Sequence, residues 1–313
     1  MLFEATLNQI ALLLLFIIIG YVFAKLRIIP DNTQVVLSKL EKILFIPALV
    51  LGTFINNFTT EKIEAAWKLL LNCLILEIII ILLSVFLSQL CSKDRYEQSI
   101  YRYGLCFSNF GFMGNAVVSA LFPEIFLEYL IYTLPLWTLI YLWAAPALLI
   151  GNENAKPTIK QRLRNLLNPM FVCMIIGMAI GLTQLPMPSF VAPAITAAGN
   201  CMSPLAMLLT GMTVAQFKLK DILAIKGVYI VTVQRLILLP LLFLAVLSLW
   251  PMEKTFATCT ICALSMPLGL NTIIIPGAYG KDVRVASGMA LVSHIVSCVT
   301  IPIIFTIFSQ AVL

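Results

Sequence analysis

Two short stretches of the chain place asparagine beside helix breakers within apolar sequence. They are Ser108-Asn109-Phe110-Gly111-Phe112-Met113-Gly114-Asn115 and Ser265-Met266-Pro267-Leu268-Gly269-Leu270-Asn271-Thr272. Glycine lowers helix propensity, and proline removes a backbone donor. Unwound backbone at membrane depth is tolerated only against protein or a wet cavity. The N–H groups at a half-helix start carry partial positive charge and suit an anion. Asn109, Asn115 and Asn271 add donors and acceptors without net charge, and Gly111, Gly114, Pro267 and Gly269 are the breakers. These seven form the candidate substrate-binding set. A lone glycine or proline would more simply kink a helix or allow close packing. Two equivalent breaks with paired asparagines favour a binding site.

Three ionisable residues lie deep in apolar sequence. Glu77 is flanked by Leu74-Ile75-Leu76 and by the run from Ile78 to Leu83, and Arg235 sits between Val231-Thr232-Val233 and Leu236 to Leu239. A bare charge there is costly, so it must be paired, protonated or wet. One reading is a structural Glu77–Arg235 ion pair. The other is functional: Arg235 attracts an anionic substrate and Glu77 carries a coupling proton. His294, the only histidine, lies among Ser293, Ser297 and Thr300; a proton relay and a satisfied packing histidine are the two readings. Lys39, Glu41 and Lys42 read as snorkelling charges near a helix start. One histidine excludes a metal centre built from several. The eight cysteines are scattered through apolar segments, which suggests neither a disulfide framework nor a zinc cluster. Cys259 and Cys262 form a CxxC without a second pair and read as packing on one helix face. No cofactor and no metal are expected.

The elements that must position these residues follow from composition. Of 313 residues, 61% are hydrophobic and 11% charged, against about 25% charged in an average soluble domain. Lipid must be the solvent for most of the chain, which has room for ten spans of about 20 residues and no separate soluble domain. Ten apolar segments are legible, near Thr6–Lys25, Gln34–Ile55, Ala65–Leu90, Ile100–Phe122, Phe126–Ile150, Asn168–Leu185, Val191–Ala215, Asp221–Trp250, Thr255–Tyr279 and Val283 to the C-terminus. The first reads as a retained helix rather than a secretory signal. Loops after odd-numbered segments hold fourteen lysines and arginines, against three on the opposite side. Odd loops are therefore expected in the cytoplasm and both termini outside, in the plasma (inner) membrane. The net charge of +6 is thus a topology signal and no argument for nucleic acid.

The single hydrophilic loop, Gly151–Leu167, cuts the chain near its midpoint. Pro47 and Pro204, Asn115 and Asn271, Pro146 and Pro302, and Glu77 and Arg235 recur 156 to 158 residues apart. These spacings fit two five-helix repeats, 1–155 and 156–313. An odd helix count makes the second repeat inverted, as in many secondary transporters. The predicted fold is an all-α integral membrane protein of ten transmembrane helices in two inverted repeats, with the fourth and ninth broken.

The chain resembles the auxin efflux carrier family, which includes bacterial permeases associated with malonate or malate and the plant PIN carriers, within the wider bile-acid, arsenite and riboflavin transporter superfamily. Asn109-x-Gly111-Phe112-Met113-Gly114 is similar to the family's Asn-x-Gly-Phe-Met-Gly, and Met266-Pro267 through Asn271 with Ala278-Tyr279-Gly280-x-Asp282 to its ninth-helix pattern. Asn168-Pro169, Pro204-Leu205-Ala206 through Gly211-Met212, Arg235 followed by Pro240, and Thr300-Ile301-Pro302 match in order and spacing. Where the family usually has proline, this chain has Ala116, which predicts a less sharply broken fourth helix. The resemblance implies that helices 4 and 9 cross over. It implies a scaffold of helices 1, 2, 6 and 7 and a transport core of helices 3–5 and 8–10, moving as an elevator. It implies a small organic anion as substrate and makes Glu77 a candidate for the charged site on helix 3.

Four functions compete. The best supported is a secondary carrier of small organic anions, mono- or dicarboxylates or auxin-like acids, working by alternating access. A sodium-coupled symporter of the bile-acid type would need an oxygen cluster at the breaks, and no acid is buried there. An intramembrane enzyme would show paired aspartates or a Ser–His pair; Asp31, Asp94, Asp221 and Asp282 all fall in loops or at helix ends. A membrane sensor would need a signalling domain that the longest loop is too short to hold. Besides the anion, the expected partners are a coupling proton, membrane lipid and, through small residues on exposed scaffold helices, a second copy in a homodimer.

Overall fold

The computed structural model describes residues 2–30, 32–58, 60–150 and 169–312. The hydrophilic loop Gly151–Leu167, with the repeat boundary at 155/156 and its basic residues Lys156, Lys160, Arg162 and Arg164, lies outside the described residues.

Among the described residues every regular element is helical, and the only β pairing is one isolated bridge. The first segment is α1 (Leu2–Lys25). The second is α2 (Thr33–Leu40), which passes through a π-helical turn, Glu41–Phe45, into α3 (Ile46–Asn57). The third is α4 (Thr60–Gln89), five residues longer at its start than the apolar run. The fourth is α5 (Arg95–Cys106), then a π-helical turn, Phe110–Gly114, and α6 (Asn115–Leu121). The fifth is α7 (Phe126–Leu139), continued as π-helix over Ile140–Ile150. After the hydrophilic loop come α8 (Pro169–Thr183), α9 (Val191–Asn200) and α10 (Met202–Ala215).

The eighth segment departs from expectation. Asp221 belongs to a separate short helix, α11 (Leu219–Leu223), and the long helix begins as α12 (Lys226–Val233). Ile225 adopts extended backbone, with φ −78° and ψ 103°, which redirects the chain so that Gly227 packs against the Cys91 carbonyl. A π-helical turn, Gln234–Leu238, then leads into α13 (Leu239–Leu249). The chain ends with α14 (Lys254–Ser265), α15 (Asn271–Ala278) and α16 (Arg284–Val312).

Among the described residues six helices are long and apolar enough to cross a membrane: Phe3–Lys25, Ala66–Gln89, Pro123–Ile150, Val191–Ala215, Lys226–Leu249 and Arg284–Gln310. Phe110–Leu121 and Pro169–Thr183 are shorter apolar helices. Leu15 and Ile18 on α1, Leu82 and Phe86 on α4, and Leu241 and Leu242 on α13 face outward. Such residues are stable there only in lipid. Asp94 starts α5 by accepting from Glu97 N at 2.9 Å, satisfying one of the unpaired donors of a helix start.

Small residues set the tightest helix contact. Gly211 on α10 lies against the Ile17 carbonyl and Tyr21 amide of α1, and Gly20 on α1 lies against the Leu208 carbonyl. Backbones approach this closely only where no Cβ intervenes. Gly211→Leu is expected to force α1 from α10 and to cost about 3 kcal/mol, read as a lower melting temperature of the detergent-purified protein.

α1 packs on α10, and α3 on α8 and α9. α4 packs on α5 and α7, and α12 on α16. α1 also touches α6 and α16.

Candidate functional site

The ninth-segment break falls at Pro267 and Gly269 as expected, whereas the fourth-segment break falls at Phe107–Asn109, ahead of Gly111 and Gly114, which are helical. α5 stops at Cys106; Phe107 is extended, with φ −115° and ψ 102°, and helix resumes through the π-helical turn at Phe110. With Ala116 rather than proline, that turn runs into α6 without a further gap. α14 stops at Ser265; Met266 is extended, with φ −69° and ψ 146°, and helix resumes at Asn271.

The breaks meet. The Asn109 amide N–H donates to the Pro267 carbonyl at 2.7 Å, and Ser108 and Leu268 form an isolated antiparallel bridge. Ser108 Oγ donates to the Ala263 carbonyl at 2.7 Å, and Leu268 N–H donates to Ser293 Oγ on α16 at 3.2 Å. Backbone groups stranded by one break are thus satisfied by the other. Gly269 makes this approach possible: a Cβ there would stand 2.7 Å from the Phe107 carbonyl oxygen and 3.0 Å from that of Ser108. Gly111 and Gly114 serve packing in the same way, leaving room for the Trp137 ring and the Tyr129 hydroxyl of α7. Tyr129 in turn donates to the Phe110 carbonyl at 3.0 Å.

Arg235 ties both breaks together. Its Nη1 donates to the Leu105 carbonyl at 2.7 Å, and its Nη2 to the Ala263 carbonyl at 3.0 Å. These carbonyls lie in the last turns of α5 and α14, where intrahelical partners run out and the helix dipole is negative. The guanidinium fork fits two such acceptors at once. Glu77 is 3% exposed and makes no salt bridge to Arg235; its Oε1 has no hydrogen-bond partner. The ion-pair reading is therefore replaced by one in which Arg235 is held by carbonyls. The carboxylate acts on it only across space in a medium of low dielectric.

The three asparagines have different fates. Asn109 caps the restarted helix: its Oδ1 accepts from Met113 N–H at 3.4 Å, and its Nδ2 lies 3.0 Å from His294 Nε2. His294 Nδ1 is 2.7 Å from the Ala290 carbonyl, which can only accept. The proton is thus on Nδ1, and Nε2 accepts from Asn109. His294 fixes Asn109 rather than standing open to a proton path. Asn271 Nδ2 donates to the Tyr103 hydroxyl at 3.2 Å.

Asn115, the first residue of α6, is 5% exposed, and its Oδ1 has no hydrogen-bond partner. It faces a cavity of about 20 Å³ lined by Val50 and Phe54 of α3, Thr133 and Trp137 of α7, and Met170 and Met174 of α8. That volume holds about one water molecule. The free amide can donate through one atom and accept through the other.

Glu41 does not snorkel. It is 2% exposed while Lys39 and Lys42 beside it are exposed. Cys259 and Cys262 are free and buried on α14. The stitching roles of Ser108, Ser293, Tyr103 and Tyr129 left no mark in the sequence, because single serines and tyrosines are common in apolar helices.

A family model described as membrane transport protein matches residues 5–305. The chain belongs to this family. It is the auxin efflux carrier and PIN-like group that the break motifs resemble, and membership makes the chain a multi-pass membrane transporter. A search of curated proteins finds no match.

Proposed function

We propose that this membrane transport protein is a secondary carrier of small organic anions, mono- or dicarboxylates such as malonate or malate, or auxin-like acids. The observation that carries the reading is the unpartnered Oδ1 of buried Asn115. It lies beside two paired helix breaks and faces a cavity walled by α3, α7 and α8. Restarted helices leave part of their first N–H groups without intrahelical acceptors, beyond the one that Asn109 caps, so the neighbouring breaks offer donors and the positive ends of helix dipoles to a carboxylate.

In this reading the chain is ten helices in two inverted repeats, 1–155 and 156–313, with the broken helices crossing. α1–α3 and α8–α10 form the scaffold, and α4–α7 and α12–α16 the core. A cavity of about 20 Å³ is too small for a carboxylic acid, so loading requires the core to slide against α3 and α8. Glu77 carries the coupling proton on the core. The protein sits in the plasma membrane with both termini outside and its basic loops in the cytoplasm.

The test is uptake of radiolabelled malonate, malate, lactate, succinate and indole-3-acetate into proteoliposomes, with pH and sodium gradients imposed separately. Saturable uptake of one acid driven by the pH gradient is expected, with Glu77→Gln abolishing the gradient's effect. Uptake of none from folded protein, or uptake driven by sodium alone, contradicts the reading.

A further inference from the structure

A second buried carboxyl stands apart from the paired breaks. Glu41 lies in the π-helical turn joining α2 to α3, and no side chain hydrogen-bonds either of its oxygens; its one polar neighbour is the Ala206 backbone. Single π-helical turns inside α-helices recur at functional sites. The elements packed against this turn are α2, α3, α8, α9 and α10. Their titratable side chains, with the turn's own, are Lys39 and Lys42, which are exposed, and Cys173 of α8. No cation among the described residues forms a salt bridge with Glu41.

An ionised carboxylate buried this way costs several kcal/mol without compensation. A hard metal cation requires six or more oxygens, and Glu41 offers two without a neighbouring acid. A proton is the ligand whose chemistry fits.

The surroundings also supply a route. Gln34, Ser38 and Glu41 follow i, i+4, i+7 spacing and share one face of the helix, as do Ala206, Thr210 and Thr213 on α10. Gln34 Nε2 donates to Thr213 Oγ1, and exposed Gln216 donates through Nε2 to Gln34 Oε1. With α10 antiparallel to α2, this register carries Glu41 to the backbone of Ala206, two turns deeper. A stripe of amides and hydroxyls thus runs from the surface at Gln216 toward Glu41 between α2 and α10.

We propose that Glu41 is a proton-binding site, loaded from the membrane surface at Gln216 along the polar seam between α2 and α10. The site lies outside the substrate-binding set and is independent of which cargo the carrier moves.

Infrared difference spectra of the full chain in lipid vesicles, stepped across pH, test it. The wild type is expected to show the C=O stretch of a protonated carboxylic acid at neutral pH. That band is lost in Glu41→Gln and retained in Glu77→Gln, and Thr213→Val slows its exchange in deuterium oxide. Should Glu41→Gln not fold, Glu41→Asp keeps the acid and is expected to move the band. Loss of carboxylate intensity alone in Glu41→Gln, or an acid band unmoved in Glu41→Asp, overturns the proposal.

Discussion

Arg235→Leu is expected to be the most damaging single substitution in the membrane interior, lowering stability by about 3 kcal/mol or more through two lost charge-assisted hydrogen bonds. Arg235 donates to Leu105 and Ala263, one carbonyl from each helix that enters a break. Removing the guanidinium strands the Leu105 carbonyl, leaves Ala263 to the Ser108 hydroxyl alone, and leaves the Glu77 carboxyl without a compensating charge. Arg235→Lys keeps the charge but presents a point donor rather than a fork, so an intermediate loss is expected. The order wild type, Lys, Leu in thermal unfolding of the purified protein checks this. Because the two buried groups attract across space, the cost of Arg235→Leu should shrink in a Glu77→Gln background. An Arg235→Leu protein that melts with the wild type would show that the guanidinium does not hold the breaks together.

Asn115→Ala is expected to leave folding nearly unchanged and to remove most transport. No hydrogen bond involving the Asn115 side chain is seen among the described residues, and its Oδ1 has no partner, so truncation breaks none of the contacts that stabilise the breaks. A hydrogen bond to a charged group is worth about 1.5–3 kcal/mol, and about 1.4 kcal/mol is tenfold in affinity. A fall of roughly ten- to hundredfold in uptake at subsaturating substrate follows. Asn109→Ala is the informative contrast. Asn109 caps a helix and is held by His294, so its loss should cost about 1 kcal/mol or more in stability along with transport. Equal melting temperatures for the two variants, or wild-type uptake in Asn115→Ala, would contradict the assigned division of labour.

The sequence located the ninth-helix break at Pro267 and Gly269, but set the fourth-helix break at Gly111 and Gly114, which lie in the resumed helix after the extended Phe107. Asn109 with Gly111, and Pro267 with Gly269, are local signals that act through backbone propensity and need no knowledge of the rest of the chain. Apolar runs likewise marked the six helices long enough to cross a membrane among the described residues, since the bilayer imposes length and polarity directly. What the sequence hid is long-range. The Asn109–Pro267 backbone bond joins residues on different helices, and backbone groups have no side-chain signature. Arg235 and Glu77 suggested a pair because opposite charges attract, yet nearby orphan carbonyls compete for a guanidinium as well as a carboxylate does. Asn109 resembled a free ligand group until His294 took its amide.

Two misreadings have a similar origin. Glu41 stands between Lys39 and Lys42 and looked like part of a solvated helix start. The π-helical turn begins at Glu41, which is turned inward while both lysines stay outside. The run from Asp221 to Trp250 is continuous in composition but not in backbone, because Ile225 is extended, and the one nearby glycine, Gly227, lies inside the helix that follows.

The central claim is that an organic anion sits beside the paired breaks, against Asn115. The most direct measurement is an electron cryomicroscopy structure of the protein in lipid with the acid identified by uptake. The account predicts density for the acid between α6, α3 and α8, with a carboxylate oxygen within hydrogen-bond distance of the Asn115 amide and with the α3–α7 cavity enlarged. Density for the acid elsewhere, with the Asn115 cavity still closed, would contradict it.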